Sequence, residues 1–227
     1  MLYFHVRRLR KLQRAYYDAQ TPDGAVILEY LQALAELRKA FLGTNPPRVR
    51  ALHAGSGMQY LPGWINVDID RAHTIDVAGD LAISLPFRDA SLDYIHSEDF
   101  LEHLDFQAGK RFLRECRRVL KRSGVMRLLT PDLRRIIERV YVDRDERHLR
   151  WCGSYLDASS PAEALNMHLR MHGEHRFLYD EELLTETLRE IGFAVRSVSW
   201  NASRERFLRF LDLRDFGLSQ FLECRPA

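Results

Sequence analysis

The segment LHAGSGMQYLPGWINVD, residues 52–68, decides how the rest of the chain is interpreted. A short apolar run ends at the glycine turn Gly55-Ser56-Gly57, and a second apolar run ends at Asp68. Glycines let the backbone approach a ligand closely, and a carboxylate at the end of the next strand can accept both hydroxyls of a ribose. The segment therefore predicts two neighbouring strands with a nucleotide-like ligand at their ends.

The spacing within this segment disfavours a dinucleotide. A dinucleotide fingerprint has a third glycine three residues after the second, where this chain has Tyr60. Pro62-Gly63 follows, so no long helix can begin there and hold a pyrophosphate at its N-terminus. Asp68 also comes sooner after the turn than the roughly 20 residues of the dinucleotide pattern. A nicotinamide-dependent oxidoreductase is therefore the weaker alternative.

Strand-like and helix-like segments alternate from residue 48 onward. Strands are predicted at residues 49–54, 64–69, 75–77, 92–96, 125–130, 193–199 and 218–224. Helices are predicted at 107–121 and 132–142, after a helical start at Ser97, after the capping box at Ser160, and from Asp180 to a stop at Gly192. The alternation predicts a Rossmann-like α/β fold, with a seven-stranded, mainly parallel sheet and helices on both faces.

The first 45 residues are expected to form a helical extension. Residues 2–16 have apolar side chains at helical spacing, and a second helix is predicted from Thr21-Pro22 to Gly43. Asn45-Pro46-Pro47 cannot continue a helix. We therefore predict an N-terminal helical extension over 1–45 and the main domain over 46–227, and a homodimer formed through the N-terminal helices stays open.

Composition limits the partners and the compartment. The 34 Lys and Arg residues nearly balance the 32 Asp and Glu residues, so bulk charge predicts no binding to nucleic acid. Local groups of arginine leave peripheral contact with an anionic membrane open. Three scattered cysteines indicate a reducing compartment, and no apolar run is long enough for a transmembrane segment. A cytoplasmic location is expected.

Residues 49–200 resemble one bacterial group of class I S-adenosylmethionine-dependent methyltransferases of the type 11 kind. The likeness rests on the glycine turn, on Leu61-Pro62-Gly63-Trp64-Ile65-Asn66-Val67-Asp68, and on later motifs. These motifs are Gly79-Asp80-Leu81, Leu85-Pro86-Phe87, Leu92-Asp93-Tyr94-Ile95, Glu102-His103-Leu104, the stretch 120–132, residues 175–180 and Gly192-Phe193. The turn departs from the group's usual pattern because Ser56 stands where cysteine is common.

The resemblance implies S-adenosylmethionine as cofactor and a role for each matching residue. Gly55, Ser56 and Gly57 would lie along its methionine part and ribose, and Asp68 would hold the ribose hydroxyls. The remaining cofactor contacts would come from four residues: Ile69 at the adenine face, Asp80 at the adenine amino group, the Leu81 backbone beside it, and Ser97 near the sulfonium.

Catalytic candidates are the groups that could take a proton from an acceptor hydroxyl, a role usually filled by His, Asp or Glu. Glu98 follows the fourth predicted strand, and His103 comes five residues later. His175 is the preferred base, with His172 second. His168, His172 and His175 would share one face if a single helix ran through Gly173, which leaves a metal site there open, although no metal ligand set is assigned.

The resemblance implies methyl transfer to a small-molecule or glycan-type acceptor, with oxygen as the expected attacked atom. A non-catalytic interaction module that keeps the fold is the alternative from a different class.

Overall fold

A computed structural model describes residues 8, 11–12, 24–42, 49–213 and 217–227. Its strands are β1 Ala51–Ala54, β2 Ile65–Asp68, β3 Val77–Ala78, β4 Leu92–Glu98, β5 Leu120–Pro131, β6 Phe193–Ser197 and β7 Ser219–Pro226. They form one sheet in the order β3-β2-β1-β4-β5-β7-β6, in which β7 is antiparallel to both of its neighbours and the other pairs are parallel. The predicted α/β fold with a seven-stranded, mainly parallel sheet is confirmed.

The helices begin at side-chain caps in most cases. They are α1 Gly24–Leu42, α2 Phe106–Val119, α3 Leu133–Ile136, α4 Glu146–Leu156, α5 Pro161–Arg170 and α6 Glu181–Ile191. The side chains of Asp105, Asp145, Ser160 and Asp180 accept hydrogen bonds from the first turns of α2, α4, α5 and α6. Such caps satisfy backbone donors that have no partner within the helix.

The chain divides into two compact units. The first comprises residues 1–47, 133–174 and 200–218, and the second comprises residues 48–132, 175–199 and 219–227. The second unit holds the whole sheet together with α2 and α6. The predicted division into a 1–45 extension and a 46–227 domain stays a prediction.

One face of the sheet is apolar and forms the main core. Successive strands place Leu52, Ile95, Met126 and Cys224 side by side on this face. These side chains belong to one buried cluster with residues of α2 and α6, among them Phe112, Leu113, Cys116, Leu184 and Leu188. Burial of this surface is the main stabilising contribution to the second unit.

The opposite face carries a row of buried polar side chains. Asn66, His53, His96, Arg127 and Glu223 stand opposite one another across five strands, and none is more than 3% exposed. His53 Nδ1 lies 3.1 Å from Asn66 Oδ1, and Arg127 Nη1 lies 3.5 Å from Glu223 Oε1. Buried charges are tolerated when they are paired in this way.

The first unit has its own small core around α1. Ala33, Leu34 and Leu37 pack with Trp200, Phe210 and Leu213. Arg38 donates a 3.0 Å hydrogen bond to the carbonyl oxygen of Phe207, and burial lowers the pKa of its guanidinium to about 10. The predicted helix ending at Gly43 is thus found as α1, whereas Thr21-Pro22 and most of residues 2–16 lie outside the described residues.

The predicted end of β4 and the predicted start of β5 are wrong. Residues 97 and 98 continue β4, so no helix begins at Ser97, and a 3₁₀ turn follows later, at Leu101–His103. Strand β5 begins at Leu120, because Leu120 pairs with Leu92, and residues 123–124 therefore lie within a strand. A Cβ at Gly124 would lie 2.9 Å from the carbonyl oxygen of Asp93, which explains the glycine.

Two segments of the first unit depart from what the sequence predicts. Helix α4 was not predicted at all. The helix predicted at 132–142 is present, but only Leu133–Ile136 is α-helical, and Ile137–Val142 form a π-helix. Among the described residues, no helix is long and apolar enough to cross a membrane.

The buried ion pair generates a prediction about stability. Glu223 accepts from two guanidinium groups, those of Arg127, with a side chain 0% exposed, and Arg196, with a side chain 37% exposed. Glu223→Gln should lower the free energy of unfolding by about 3 kcal/mol, because it leaves the Arg127 charge buried without its counter-ion. Arg196→Gln should cost less than about 1 kcal/mol, because that pair is partly solvated.

Urea unfolding of the wild type and both variants measures these differences. Equal costs for the two substitutions would contradict the role given to the Arg127–Glu223 pair.

Candidate functional site

The glycine turn leaves the carboxyl end of β1 and is held against β2. The backbone N–H groups of Gly55 and Ser56 both donate to the carbonyl oxygen of Val67, at 3.0 and 3.1 Å. Gly55 has φ +68°, and a Cβ there would lie 2.5 Å from the ring of Phe100. Gly57 has φ +48° and open space where a Cβ would stand. The turn thus needs glycine for its conformation and, at Gly55, for close packing.

Asp68 ends β2 beside this turn, as the sequence predicted. Its Oδ2 accepts a 2.8 Å hydrogen bond from the backbone N–H of Gly57, and its Oδ1 accepts one of 2.9 Å from Asp70. These contacts fix the orientation of the half-buried carboxylate. Each carboxylate oxygen has a second lone pair, so the group can still accept from ligand hydroxyls.

The other cofactor candidates on this side lie on the loops after β2 and β3. Ile69 is 68% exposed, so it can offer an apolar surface to a ligand. The backbone N–H of Gly79 donates to the carbonyl oxygen of Asp68. This bond brings the backbone at the exposed residue Asp80 close to the end of β2. Leu81 is buried in the main core.

Two buried hydroxyls at this edge of the sheet have no hydrogen-bond partner among the described residues. They are Ser56 Oγ, in the turn, and Ser97 Oγ, near the end of β4. Ser97 stands opposite Ala54, the last residue of β1. Buried polar groups are normally satisfied, so two such hydroxyls at the ends of adjacent strands fit a site completed by a polar ligand. This observation fits S-adenosylmethionine, which offers amine, carboxylate and ribose groups.

A buried histidine lies beside Glu98. His96 Nε2 lies 3.4 Å from Glu98 Oε2, and the ring centroid of His96 lies 5.2 Å from that of His53. Burial, followed by the proximity of His96, lowers the pKa of His53 to about 3, so this imidazole is neutral at physiological pH. The predicted helical turn around Glu98 and Asp99 is absent.

The residue after Glu98 has an unusual backbone. Asp99 adopts φ +48°, a left-handed conformation that costs a non-glycine residue about 1 kcal/mol or more. Its N–H donates to the carbonyl oxygen of Leu129, a contact that holds the conformation in place. Strained positions of this kind are frequent at functional sites, and this one turns the chain out of β4 towards Phe100.

The structure brings His103 and His175 together. Their ring centroids are 5.2 Å apart in an edge-to-face arrangement, and both side chains are half-buried. Glu102 completes a cluster with them, in which one ligand atom from each residue lies within 4.8 Å of the others. The sequence analysis singled out both histidines but gave Glu102 no role.

The proposed alignment of three histidines on one helix is wrong. Helix α5 ends at Arg170, and Met171 and His172 have φ +39° and +55°. The chain therefore leaves the helix before His172, and the spacing of four and three residues no longer places the three imidazoles on a common face. His168 is buried next to Trp151, with ring centroids 5.4 Å apart.

Comparison with known proteins agrees with this geometry. Residues 57–128 match a family model described as a methyltransferase domain. A probable S-adenosylmethionine-dependent methyltransferase of Mycobacterium tuberculosis is 48% identical over 48 residues, which is 21% of this chain and 17% of that protein. The match thus spans less than a fifth of the relative's length.

Solved structures share the fold over most of the chain. A methyltransferase of Archaeoglobus fulgidus has a TM-score of 0.53 at 15% identity and covers 89% of this chain and 100% of its own. One of Thermotoga maritima has a TM-score of 0.52 at 14% identity, with all of both chains covered. Residues 57–128 thus match a methyltransferase domain, and the chain shares its fold with solved S-adenosylmethionine-dependent methyltransferases. S-adenosylmethionine is the cofactor named for each of these three relatives.

Several parts of the candidate site were not predicted from the sequence. The packing of Phe100 on Gly55 and the His96–Glu98 pair depend on contacts between strands, which a single sequence does not display. Polar residues inside the apolar strands β1 and β4, namely His53 and His96, were the available signal. Their side chains alternate with core residues and therefore had to share the opposite face.

The geometry at Asp68 generates a prediction about cofactor affinity. Asp68→Ala should weaken the binding of S-adenosylhomocysteine at least about tenfold. The substitution removes the expected acceptor for the ribose hydroxyls and also the carboxylate that accepts from the Gly57 N–H. Asp70→Ala is the matched control, since Asp70 is an exposed acid two residues further on whose Oδ1 accepts only a local hydrogen bond from Ala72.

Isothermal titration calorimetry of the three proteins measures the affinities. The assignment fails if Asp68→Ala binds as tightly as the wild type, or if Asp70→Ala is weakened to the same extent.

Proposed function

We propose that this chain transfers a methyl group from S-adenosylmethionine to a hydroxyl oxygen of a small-molecule or glycan-type acceptor. The observation that supports the cofactor half is the meeting of the glycine turn, Asp68 and two unpartnered buried hydroxyls at one edge of the sheet. The acceptor half is supported by three proton-accepting side chains: Glu98 at the end of β4, His103 on the turn that follows, and His175 before α6.

Each cofactor contact is assigned on the family pattern. Gly55, Ser56 and Gly57 would lie along the methionine part and the ribose, and Asp68 would accept from the ribose hydroxyls. The adenine would be bordered by Ile69, by the Asp80 carboxylate and by the backbone of Leu81, with Ser97 near the sulfonium. The exposed position of Ile69 and the hydrogen bond that ties Gly79 to Asp68 support this arrangement.

The bound cofactor would supply an electrophilic methyl group on a positively charged sulfur. The protein's own contribution is to hold the acceptor oxygen in line with that methyl group and to remove the acceptor's proton. His175 is the preferred base, because its imidazole is half-exposed and supported by His103. Glu98 is the second candidate, and its buried carboxylate lies 3.4 Å from His96 Nε2.

The type of acceptor rests on family resemblance and on these proton-accepting groups. Transfer to oxygen benefits from a base, because a neutral hydroxyl is a weak nucleophile. The helical extension over residues 1–45 and a homodimer formed through it are part of the same proposal. A location in the cytoplasm is proposed with them.

Turnover tests the proposal. The purified protein, supplied with S-adenosylmethionine, should methylate at least one member of a panel of free and lipid-linked sugars, as detected by mass spectrometry. His175→Gln should lower kcat at least about tenfold with little change in cofactor affinity, because a positioned base typically contributes a factor of about 10² to 10⁴. His148→Gln, on α4, is the matched control and should retain wild-type turnover.

Three results would contradict this proposal. Methylation only at nitrogen or carbon would contradict the proposal that oxygen is the attacked atom. Undiminished turnover in His175→Gln, Glu98→Gln and His103→Gln would remove the acid–base assignment. Cofactor binding without turnover on the panel would favour the non-catalytic interaction module.

A further inference from the structure

Three side chains that commonly bind metals meet beside the proposed catalytic groups. Glu102 and His103 lie on the 3₁₀ turn after β4, and His175 lies on the segment before α6. One ligand atom from each residue lies within 4.8 Å of the other two. We propose that Glu102, His103 and His175 bind a divalent transition metal of the Zn²⁺ type.

The distances fit such a site after a small adjustment. A tetrahedral Zn²⁺ ion lies about 2.0–2.2 Å from nitrogen and oxygen ligands, which places those ligand atoms about 3.3 Å from each other. Because the cluster is defined only to within 4.8 Å, binding requires these atoms to move closer, by rotation of the two imidazoles about their side-chain bonds.

The backbone around the cluster is fixed before any ion binds. The N–H groups of Arg176 and Phe177 both donate to the carbonyl oxygen of Glu102, at 2.8 and 3.2 Å. This contact ties the segment that bears His175 to the turn that bears the other two ligands. Ligands held on rigid backbone segments lose little conformational freedom when a metal binds.

A further contact orients the carboxylate. Thr130 Oγ1, near the end of β5, donates a 2.9 Å hydrogen bond to Glu102 Oε2, and the Glu102 side chain is almost wholly buried. Metal-binding carboxylates are characteristically oriented by such hydrogen bonds from outside the coordination sphere.

The set of donors indicates the class of metal and its use. Two imidazoles and one carboxylate form the ligand set of catalytic zinc sites, which keep a fourth position open. Both imidazoles are half-buried, so water or an acceptor hydroxyl can reach that position. A hydroxyl bound there would have a lowered pKa. With His103 and His175 bound to the metal, the role of base would pass from His175 to Glu98, the second candidate of the proposed function. This last consequence rests on the proposed function, whereas metal binding itself does not.

Metal titration tests the site without an acceptor. Protein stripped with a chelator should bind one equivalent of Zn²⁺ in calorimetry, and Co²⁺ should give the visible absorption of a four-coordinate site. His103→Ala and His175→Ala should each weaken binding at least about tenfold. Glu102→Gln, which retains an acceptor for Thr130, should also weaken it.

His73→Ala is the matched control, since it removes a histidine from a loop elsewhere in the same unit and should leave binding unchanged. Circular dichroism checks that each variant is folded. The proposal is overturned if the wild type shows no saturable binding, if His103→Ala and His175→Ala bind as the wild type does, or if His73→Ala is weakened equally. Binding of S-adenosylhomocysteine to the metal-free protein tests the cofactor site separately, so failure of one assignment can be told from failure of the other.

Discussion

Parallel pairing of β1 with β2 on one side and with β4 on the other is the constraint on which the site depends. The register places Ala54 beside Val67 and beside Ser97, so all three strands end at the same edge of the sheet. The glycine turn, Asp68 and Ser97 meet there because their strands do. Ligands of open α/β sheets bind at this position, outside the carboxyl ends of the strands.

The buried polar row explains how such short strands keep this register. β1 has only four residues, and a slip of one residue would exchange its two faces. His53 would then enter the apolar core and Leu52 would meet Asn66 and His96. A buried histidine and a buried arginine are tolerated only when they lie opposite their partners. The polar row therefore favours the observed register over registers shifted by one residue. His96 of this row also lies beside Glu98, a candidate catalytic group, with 3.4 Å between His96 Nε2 and Glu98 Oε2.

The sequence was sufficient for those parts of the molecule that depend on local patterns. The glycine turn, Asp68 and the Asp180-to-Gly192 helix each follow from residue types at short spacing, and all three are found. The predicted boundaries of β4 and β5 were wrong because of pairing between distant parts of the chain. Pairing with Leu128 and Leu129 extends β4 to Glu98, and pairing with Leu92 extends β5 back to Leu120. The Glu102–His103–His175 cluster was missed for the same reason, since a tertiary backbone contact at Glu102 brings it together. The spacing of the histidines was interpreted as one helix through residue 175. The helix instead ends at Arg170, because Met171 and His172 adopt left-handed backbone conformations.

The most direct test of the account is a pair of calorimetric titrations of the unmodified protein, one with S-adenosylhomocysteine and one with NADH. The account predicts saturable binding of S-adenosylhomocysteine with micromolar affinity and no heat of binding from NADH, because the turn after β1 has no third glycine and no helix N-terminus for a pyrophosphate. Binding of NADH without binding of S-adenosylhomocysteine would contradict it.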